Sequence, residues 1–178
     1  MGALEELLER NRLIAESVGG ELPDLPRQRL VVLSCMDHRV DPAHVLGVEL
    51  GDAVVIRNPG GRVTPAFLQQ LAVLTQVFPE VERPEEPFEL LLIQHTRCGF
   101  ARLAEDGRNH GLVAGYFGVP GDRLHERSPS DPHAGVRADL ELLAATEGVP
   151  GTLAVAGLVY DIDSRRLELV ERRAPLRP

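Results

Sequence analysis

The sequence contains no lysine and no tryptophan, and only two of its 178 residues are cysteine. All 19 basic residues are therefore arginine, which we attribute to lineage bias and to which we give no functional weight. Two cysteines cannot build a disulfide framework, and in a reducing compartment such thiols more often bind metal or take part in catalysis. Cys35 and Cys98 are accordingly the first candidates for functional residues.

The sequence also lacks long apolar runs and an excess of positive charge. No run approaches the roughly 20 residues that cross a bilayer, and the acidic N-terminus lacks the basic flank of a signal peptide. The formal net charge of −8 argues against nucleic acid or an anionic membrane as the partner. We expect a cytoplasmic protein with a single domain over residues 1–178, in which residues 1–29 form an N-terminal helix and linker.

Hydrophobic patterning alternates between strand and helix periods along the chain. Strands are expected at 30–35, 53–57, 88–94 and 152–160, with an edge strand at 166–170. Helices are expected at 3–17, 42–46, 64–78, 99–103 and 133–147, with an exposed loop at 79–87 and no sustained period over 106–129. This alternation predicts an α/β fold, namely a mostly parallel sheet of four strands plus an antiparallel edge strand, with helices on both faces.

Potential metal ligands follow two of the expected strands. The first strand ends at Cys35, and the third is followed by His95 and Cys98. The carboxyl ends of parallel strands share one edge of a sheet, where sites form. The three residues supply three of the four ligands that tetrahedral zinc takes, and no third cysteine is available to close the site. We therefore expect an open zinc site; the alternative is a pair of buried cysteines beside an ordinary core histidine.

Asp37 and Arg39 follow Cys35 at alternate positions. In an extended chain all three side chains would face the same side, and a carboxylate paired with arginine stays ionised and oriented. Such a carboxylate could accept a hydrogen bond from a nucleophile on the metal, or the pair could be purely structural. His38 would point to the opposite face, with a surface role or that of a proton shuttle. Arg57 would hold its turn or attract an anion.

Three motifs in order resemble the β-class carbonic anhydrases of the compact bacterial type: Cys35-Met36-Asp37-His38-Arg39, Arg57-Asn58-Pro59-Gly60-Gly61-Arg62-Val63 and His95-Thr96-Arg97-Cys98-Gly99. The resemblance covers residues 30–99. It implies zinc on Cys35, His95 and Cys98, and assembly as a homodimer or homotetramer. It also implies that Asp37 and Arg39 orient zinc-bound hydroxide for attack on carbon dioxide, with bicarbonate as the product, and that Asp37 could close onto zinc at lower pH.

The chain departs from the family pattern at Pro59, Arg97 and His38, none of which is an expected ligand. Arg97 would hold its turn or attract an anion. The absence of tryptophan argues against the bicarbonate-inhibited subgroup. Three other functions stay open at this point. The same site could act on another small electrophile such as carbon disulfide. The chain could be a silent zinc-binding or anion-binding relative, or it could use Cys35 and Cys98 as a redox dithiol.

Overall fold

The computed structural model describes residues 2–17, 19–20, 22–79, 85, 87–127 and 130–177. Most of the loop expected at 79–87, and the end of the segment without a clear period at 128–129, lie outside these residues. The described part contains five strands: β1 Leu30–Cys35, β2 Ala53–Asn58, β3 Glu89–His95, β4 Ala154–Asp161 and β5 Arg166–Arg173. They form one sheet in the order β2-β1-β3-β4-β5. All neighbouring pairs are parallel except β4 with β5, so the expected fold class is confirmed.

The described helices are α1 Ala3–Ser17, α2 Pro42–Val45, α3 Pro65–Val77, α4 Gly99–Glu105, α5 His110–Phe117, α6 Leu124–Arg127 and α7 Pro132–Ala145. Three of them begin as the sequence predicts, with a capping side chain followed by proline. Asp41, Thr64 and Asp131 accept hydrogen bonds from backbone N–H groups in the first turns of α2, α3 and α7. Each of these helices therefore has a fixed starting point relative to the strand before it.

Alternating side chains of the parallel strands pack on opposite faces of the sheet. Leu33 and Leu92 face the core formed with α3 and α7, where Phe67 and Leu140 are fully buried. Val32 and the other alternate residues face the side covered by the shorter α2 and α4. Helix α7 approaches β4 closely because Gly157 has no side chain; a Cβ there would lie 2.2 Å from Cγ1 of Val136.

The segment without a clear sequence period contains a helix that the sequence pattern did not predict. Helix α5 buries Val113 and Phe117 and ends at Gly118, which has a left-handed φ of 65°. Its length of eight residues and two internal glycines obscure the helical period. Tertiary packing stabilises it, because Phe117 and Tyr116 make edge-on contacts with Phe100 of α4.

Helix α1 has no buried residue. The sequence left open whether it packs on its own chain or on a partner, and the structure shows that its apolar face is not buried by this chain. That face consists of Leu4, Leu7, Leu8, Leu13 and Ile14, each more than half exposed. No helix in the described part of the chain combines the length and hydrophobicity needed to span a bilayer.

Candidate metal centre

Two strand ends and a helix start bring together the three residues that the sequence proposed as metal ligands. Cys35 is the last residue of β1, His95 is the last residue of β3, and Cys98 precedes α4. Their ligand atoms all lie within 4.8 Å of one another, and the two sulfur atoms are 3.9 Å apart. All three residues are buried, and among the described residues they form the one group of at least three histidine, cysteine or acidic side chains with such spacing.

The His95 ring has a single nitrogen that lacks a hydrogen-bond partner. Nδ1 lies 2.9 Å from the carbonyl oxygen of Thr96, which can only accept, so Nδ1 carries the proton. The neutral ring then has its lone pair on Nε2, which is buried and unpartnered. A buried nitrogen in this state is unfavourable unless it has a ligand. Two thiols and one imidazole lone pair are the donor set that zinc prefers, so these residues fit a zinc ion.

The two thiols shift each other's pKa in opposite directions. The hydrogen bond from Cys35 holds the pKa of the Cys98 thiol well below its usual range, with further help from the N–H of Ala101. The same hydrogen bond, together with burial, raises the pKa of Cys35 well above its usual range. A divalent cation held by both sulfur atoms would favour the deprotonated form of each thiol.

A glycine turn after β2 crosses the ends of β1 and β3 at very short range. It consists of a short 3₁₀ turn, Pro59–Gly61, in which Gly61 has a φ of 62°. A Cβ on Gly61 would lie 2.5 Å from the carbonyl oxygen of Ile93 and 2.8 Å from the amide nitrogen of Cys35. Only glycine fits this position, because both the backbone conformation and the available space exclude a side chain.

Asp37 and Arg39 form the expected pair, but for a different reason from the one that the sequence suggested. Strand β1 ends at Cys35, and the chain then bends into a turn closed by the hydrogen bond from Val40 N–H to the Asp37 carbonyl oxygen (3.1 Å). The argument from an extended chain is therefore wrong. The turn brings Nε and Nη2 of Arg39 to the two oxygens of Asp37, at 2.9 and 2.6 Å. Arg39 holds the pKa of the Asp37 carboxyl well below its usual range.

The sequence left open whether Arg57 holds its turn or attracts an anion, and the structure shows it bound to backbone carbonyl groups. Nε donates to the carbonyl oxygen of Cys35 (3.1 Å), and Nη2 donates to the carbonyl oxygen of Asp37 (2.7 Å). Nη1 is paired with Asp41, the residue that caps α2. Arg57 thus holds the backbone of the segment that carries both a candidate metal ligand and the candidate catalytic carboxylate.

A buried charge network lies behind the candidate metal centre, and no pattern in the sequence indicates it. Asp139 of α7 is fully buried and accepts hydrogen bonds from Arg62 and Arg127. It also accepts from the side chain of Gln94 and from the amide of Val63, each at 3.1 Å. Since Gln94 precedes His95 in β3, this network connects helix α7 to the strand that carries the histidine ligand.

The candidate site opens into a cleft of about 630 Å³. His38 lines the cleft with a side chain that is 92% exposed, and its Nδ1 lies 3.8 Å from the Asp37 carboxylate. The sequence argument had placed His38 on the opposite side from Asp37; the turn brings the two side chains to the same cleft. The remaining wall is mostly apolar: Met36, Pro59, Phe100, Leu103, Leu112, Val113 and Tyr116.

The fold and the site together define an α/β protein with a candidate metal centre at the carboxyl edge of its parallel strands. A family model described as carbonic anhydrase matches residues 30–118, which include the three candidate ligands and the Asp37–Arg39 pair. The chain belongs to the carbonic anhydrase family. This confirms the resemblance expected from the three sequence motifs.

Individual relatives support the β class. Beta-carbonic anhydrase 1 of Mycobacterium tuberculosis is 27% identical over 170 residues, which is 96% of this chain and 99% of the relative. A carbon disulfide hydrolase of Saccharolobus solfataricus is 34% identical over 99 residues, covering 56% of this chain and 43% of that protein. The crystal structure of the carbonic anhydrase from Streptococcus mutans superimposes with a TM-score of 0.70 at 28% identity, covering 96% and 99% of the two chains. Solved structures with this fold include tetrameric β-carbonic anhydrases.

Proposed function

We propose that this protein interconverts carbon dioxide and bicarbonate at a zinc ion held by Cys35, His95 and Cys98. The observation that carries the proposal is the group of three buried ligand atoms within 4.8 Å, opening into the same cleft as a carboxylate that Arg39 keeps ionised. Membership of the carbonic anhydrase family and the relative named Beta-carbonic anhydrase 1 support this reaction over other uses of the site.

When bound, zinc supplies a Lewis acid that makes water a nucleophile near neutral pH. The protein supplies two thiolates and the Nε2 lone pair of His95, which leaves one tetrahedral position without a protein ligand. The Asp37 carboxylate is not one of the ligand group, and both of its oxygens accept hydrogen bonds from Arg39. An open position supports a catalytic role for the metal rather than a structural one.

Asp37 orients the nucleophile in this proposal. Its pKa lies below the usual range, so it is ionised throughout the working pH range and accepts a hydrogen bond rather than donating one. Its two oxygens are bound on one side by Arg39, which fixes the direction of their remaining lone pairs. A nucleophile whose one O–H donates a hydrogen bond to Asp37, and keeps its proton, then has a lone pair directed at the substrate.

The apolar wall of the cleft suits a small uncharged substrate. Phe100, Leu112 and Tyr116 line the cleft together with Cys35 and Cys98. The Tyr116 hydroxyl donates a hydrogen bond to the carbonyl oxygen of Pro59 (2.8 Å), so its proton already has an acceptor. Carbon dioxide needs no hydrogen bond to enter such a space, whereas charged bicarbonate is held there poorly and leaves.

We also propose that residues 1–178 act as one domain within a homodimer or homotetramer. Five apolar side chains of α1 are more than half exposed, which is unfavourable for an isolated chain. Replacing Leu8 by Glu is expected to shift the assembly toward monomer in analytical ultracentrifugation, because the apolar face of α1 would be interrupted. Arg10→Glu is the control, since its side chain lies on the same helix but is already charged.

The direct test is stopped-flow hydration of carbon dioxide by zinc-loaded protein between about pH 6.5 and 9. Cys35→Ser serves as the blank and Ser17→Ala as a matched control away from the site. We expect one zinc per chain and a rate that rises with pH, with both zinc and rate lost in Cys35→Ser. Activity of a metal-free Cys35→Ser protein would contradict the ligand assignment. Stoichiometric zinc without turnover would instead indicate a silent relative, and reactive thiols in the zinc-loaded protein would indicate a redox dithiol.

The second candidate reaction is hydrolysis of carbon disulfide at the same site. The apolar cleft and the similarity to carbon disulfide hydrolases favour it as the first alternative. Release of hydrogen sulfide from carbon disulfide, measured on the same zinc-loaded preparation, separates the two reactions. Turnover of carbon disulfide without hydration of carbon dioxide would replace the leading proposal.

A further inference from the structure

The loop between His95 and Cys98 contains a residue in an unusual conformation. Arg97 has a φ of 58°, in the left-handed region that glycine and asparagine tolerate and most other residues avoid. Among the described residues, Arg29 and Arg165 are the other two non-glycine residues with positive φ. Neither is next to a candidate metal ligand. An arginine in this conformation requires contacts that hold it there.

The conformation of Arg97 places its carbonyl oxygen beside the Asp37–Arg39 pair. Nη2 of Arg39 donates to this oxygen at 3.3 Å and to Oδ2 of Asp37 at 2.6 Å. The same guanidinium nitrogen is therefore held between the carboxylate that it orients and the loop that carries the ligands. A change of the Arg97 backbone to an ordinary φ would remove the hydrogen bond from Arg39 to the Arg97 carbonyl oxygen.

The turn between β4 and β5 holds the loop from the other side. The Arg97 side chain forms an ion pair with Asp163 in that turn. The neighbouring Thr96 is bound to the same turn, since its hydroxyl donates to Asp161 (3.1 Å) and accepts from the amide of Ile162 (3.0 Å). Two consecutive residues of the ligand loop are thus attached to a turn that lies outside residues 30–118, the part matched by the family model.

We propose that Arg97 and Asp163 form a positioning pair that fixes Arg39, and through Arg39 the carboxylate of Asp37. The inference rests on the proposed function, because it assigns the pair to the reaction attributed to Asp37. Arg97 and Asp163 have side chains that are 61% and 67% exposed, and such a surface pair adds little to the stability of the fold. In this proposal the ion pair instead holds residue 97 in its left-handed conformation. That conformation is required for the hydrogen bond from Arg39 to the Arg97 carbonyl oxygen.

Substitutions at position 97 test this because glycine and alanine differ in how readily they take a positive φ. Both remove the ion pair. Arg97→Ala is expected to lower kcat about five-fold, or about 1 kcal/mol, with KM and zinc affinity unchanged. Arg97→Gly is expected to retain at least three times the kcat of Arg97→Ala. Asp163→Asn is expected to lower kcat in the wild-type background and to have no further effect in the Arg97→Gly background.

The control is Arg108→Ala, which removes another exposed Arg–Asp pair, with Asp106, and is expected to leave kcat unchanged. A second readout is independent of turnover. The Nε–H signal of Arg39 in a ¹H–¹⁵N spectrum of the zinc-loaded protein, assigned by its loss in Arg39→Ala, should shift or broaden in Arg97→Ala and remain near its original position in Arg97→Gly.

Two results would overturn the inference. Equal kcat values and equal Arg39 signals in the alanine and glycine variants would show that the conformation of residue 97 does not matter. A lower KM for bicarbonate in Asp163→Asn, measured in the dehydration direction with kcat unchanged, would show that Arg97 attracts the anion instead. Failure of the proposed function would give a different outcome. The wild-type protein would lack hydration activity, but the Arg39 signal would still report whether the Arg97–Asp163 pair positions Arg39.

Discussion

Two Asp–Arg clusters flank the Cys-His-Cys group, and they differ in how much of each carboxylate is left for other partners. Behind the group, Asp139 is fully buried and both oxygens are bound by Arg62, Arg127 and two further donors. In front of it, Asp37 accepts hydrogen bonds from Arg39, has the exposed His38 ring 3.8 Å away, and faces the cleft. The same two residue types therefore hold the shape of the protein in one place and leave an acceptor free for chemistry in the other.

Among substitutions that compare the two clusters, Asp139→Asn is expected to cause the largest loss of folding stability. The substitution leaves two guanidinium groups buried without their shared carboxylate, and breaking such a buried pair costs about 3–5 kcal/mol. Urea unfolding at neutral pH should show this loss. Glu16→Gln, which breaks an exposed pair with Arg12 on α1, is the control and should cost under about 1 kcal/mol. Equal stabilities of the two variants would contradict a structural role for Asp139.

Gly61→Ala is expected to have the next largest effect, because this turn separates the two clusters. A side chain at a φ of 62° is strained, and its Cβ would overlap the backbone of β1 and β3. We expect a loss of about 3 kcal/mol in stability together with weaker zinc binding. Gly47→Ala is the matched control, since Gly47 has a φ of 68° with no atom near the added Cβ. A cost no greater than that of Gly47→Ala would mean that the turn can move away from Cys35.

Asp37→Asn is expected to affect the rate and to leave the fold intact. Loss of the oriented acceptor should lower kcat about 10²-fold, equivalent to about 2.7 kcal/mol, at unchanged zinc content. Because Asp37 is already ionised at all working pH values, the midpoint of the remaining pH–rate profile should not move. Asp106→Asn, an Arg-paired carboxylate far from the site, is the control. A shifted midpoint would assign the ionisation to Asp37 instead.

The cluster in front of the candidate ligands was within reach of the sequence because Asp37 and Arg39 are two residues apart and follow a strand end. Cys35 and Asp37 were found from a strand that ends in polar residues, and His95 and Cys98 from the next such strand. The parallel pairing of β1 with β3 then brings the two strand ends together. Even here the reason for the Asp37–Arg39 contact was wrong, since periodicity shows where a strand runs but not the turn in which it ends.

The buried cluster was out of reach for the opposite reason. Asp139 and Arg62 are 77 residues apart, and nothing in the local pattern of either segment marks it as a partner of the other. Asp139 lies in a helix that the sequence predicted, but a helical period does not indicate a buried carboxylate. The Arg97–Asp163 pair joins two turns 66 residues apart and was missed in the same way. Helix α5 was missed because packing, and not periodicity, stabilises it.

The smallest effect is expected at the exposed end of the helix that carries Asp139. At the start of α7, His133 lies between Glu168 and Asp131, each at 3.2 Å, and these carboxylates raise its pKa, Glu168 most strongly. A raised pKa in the folded state means that the protonated form stabilises the fold. This contribution is complete below the unfolded value of about 6.5 and is lost as pH rises through the folded pKa.

Because both carboxylates are mostly exposed, the contribution of His133 should stay under about 1 kcal/mol. Urea unfolding of the wild type between about pH 6 and 8 should therefore show a shallow fall in stability that both His133→Gln and Glu168→Gln remove. An unchanged slope in both variants would assign the pH dependence to other groups.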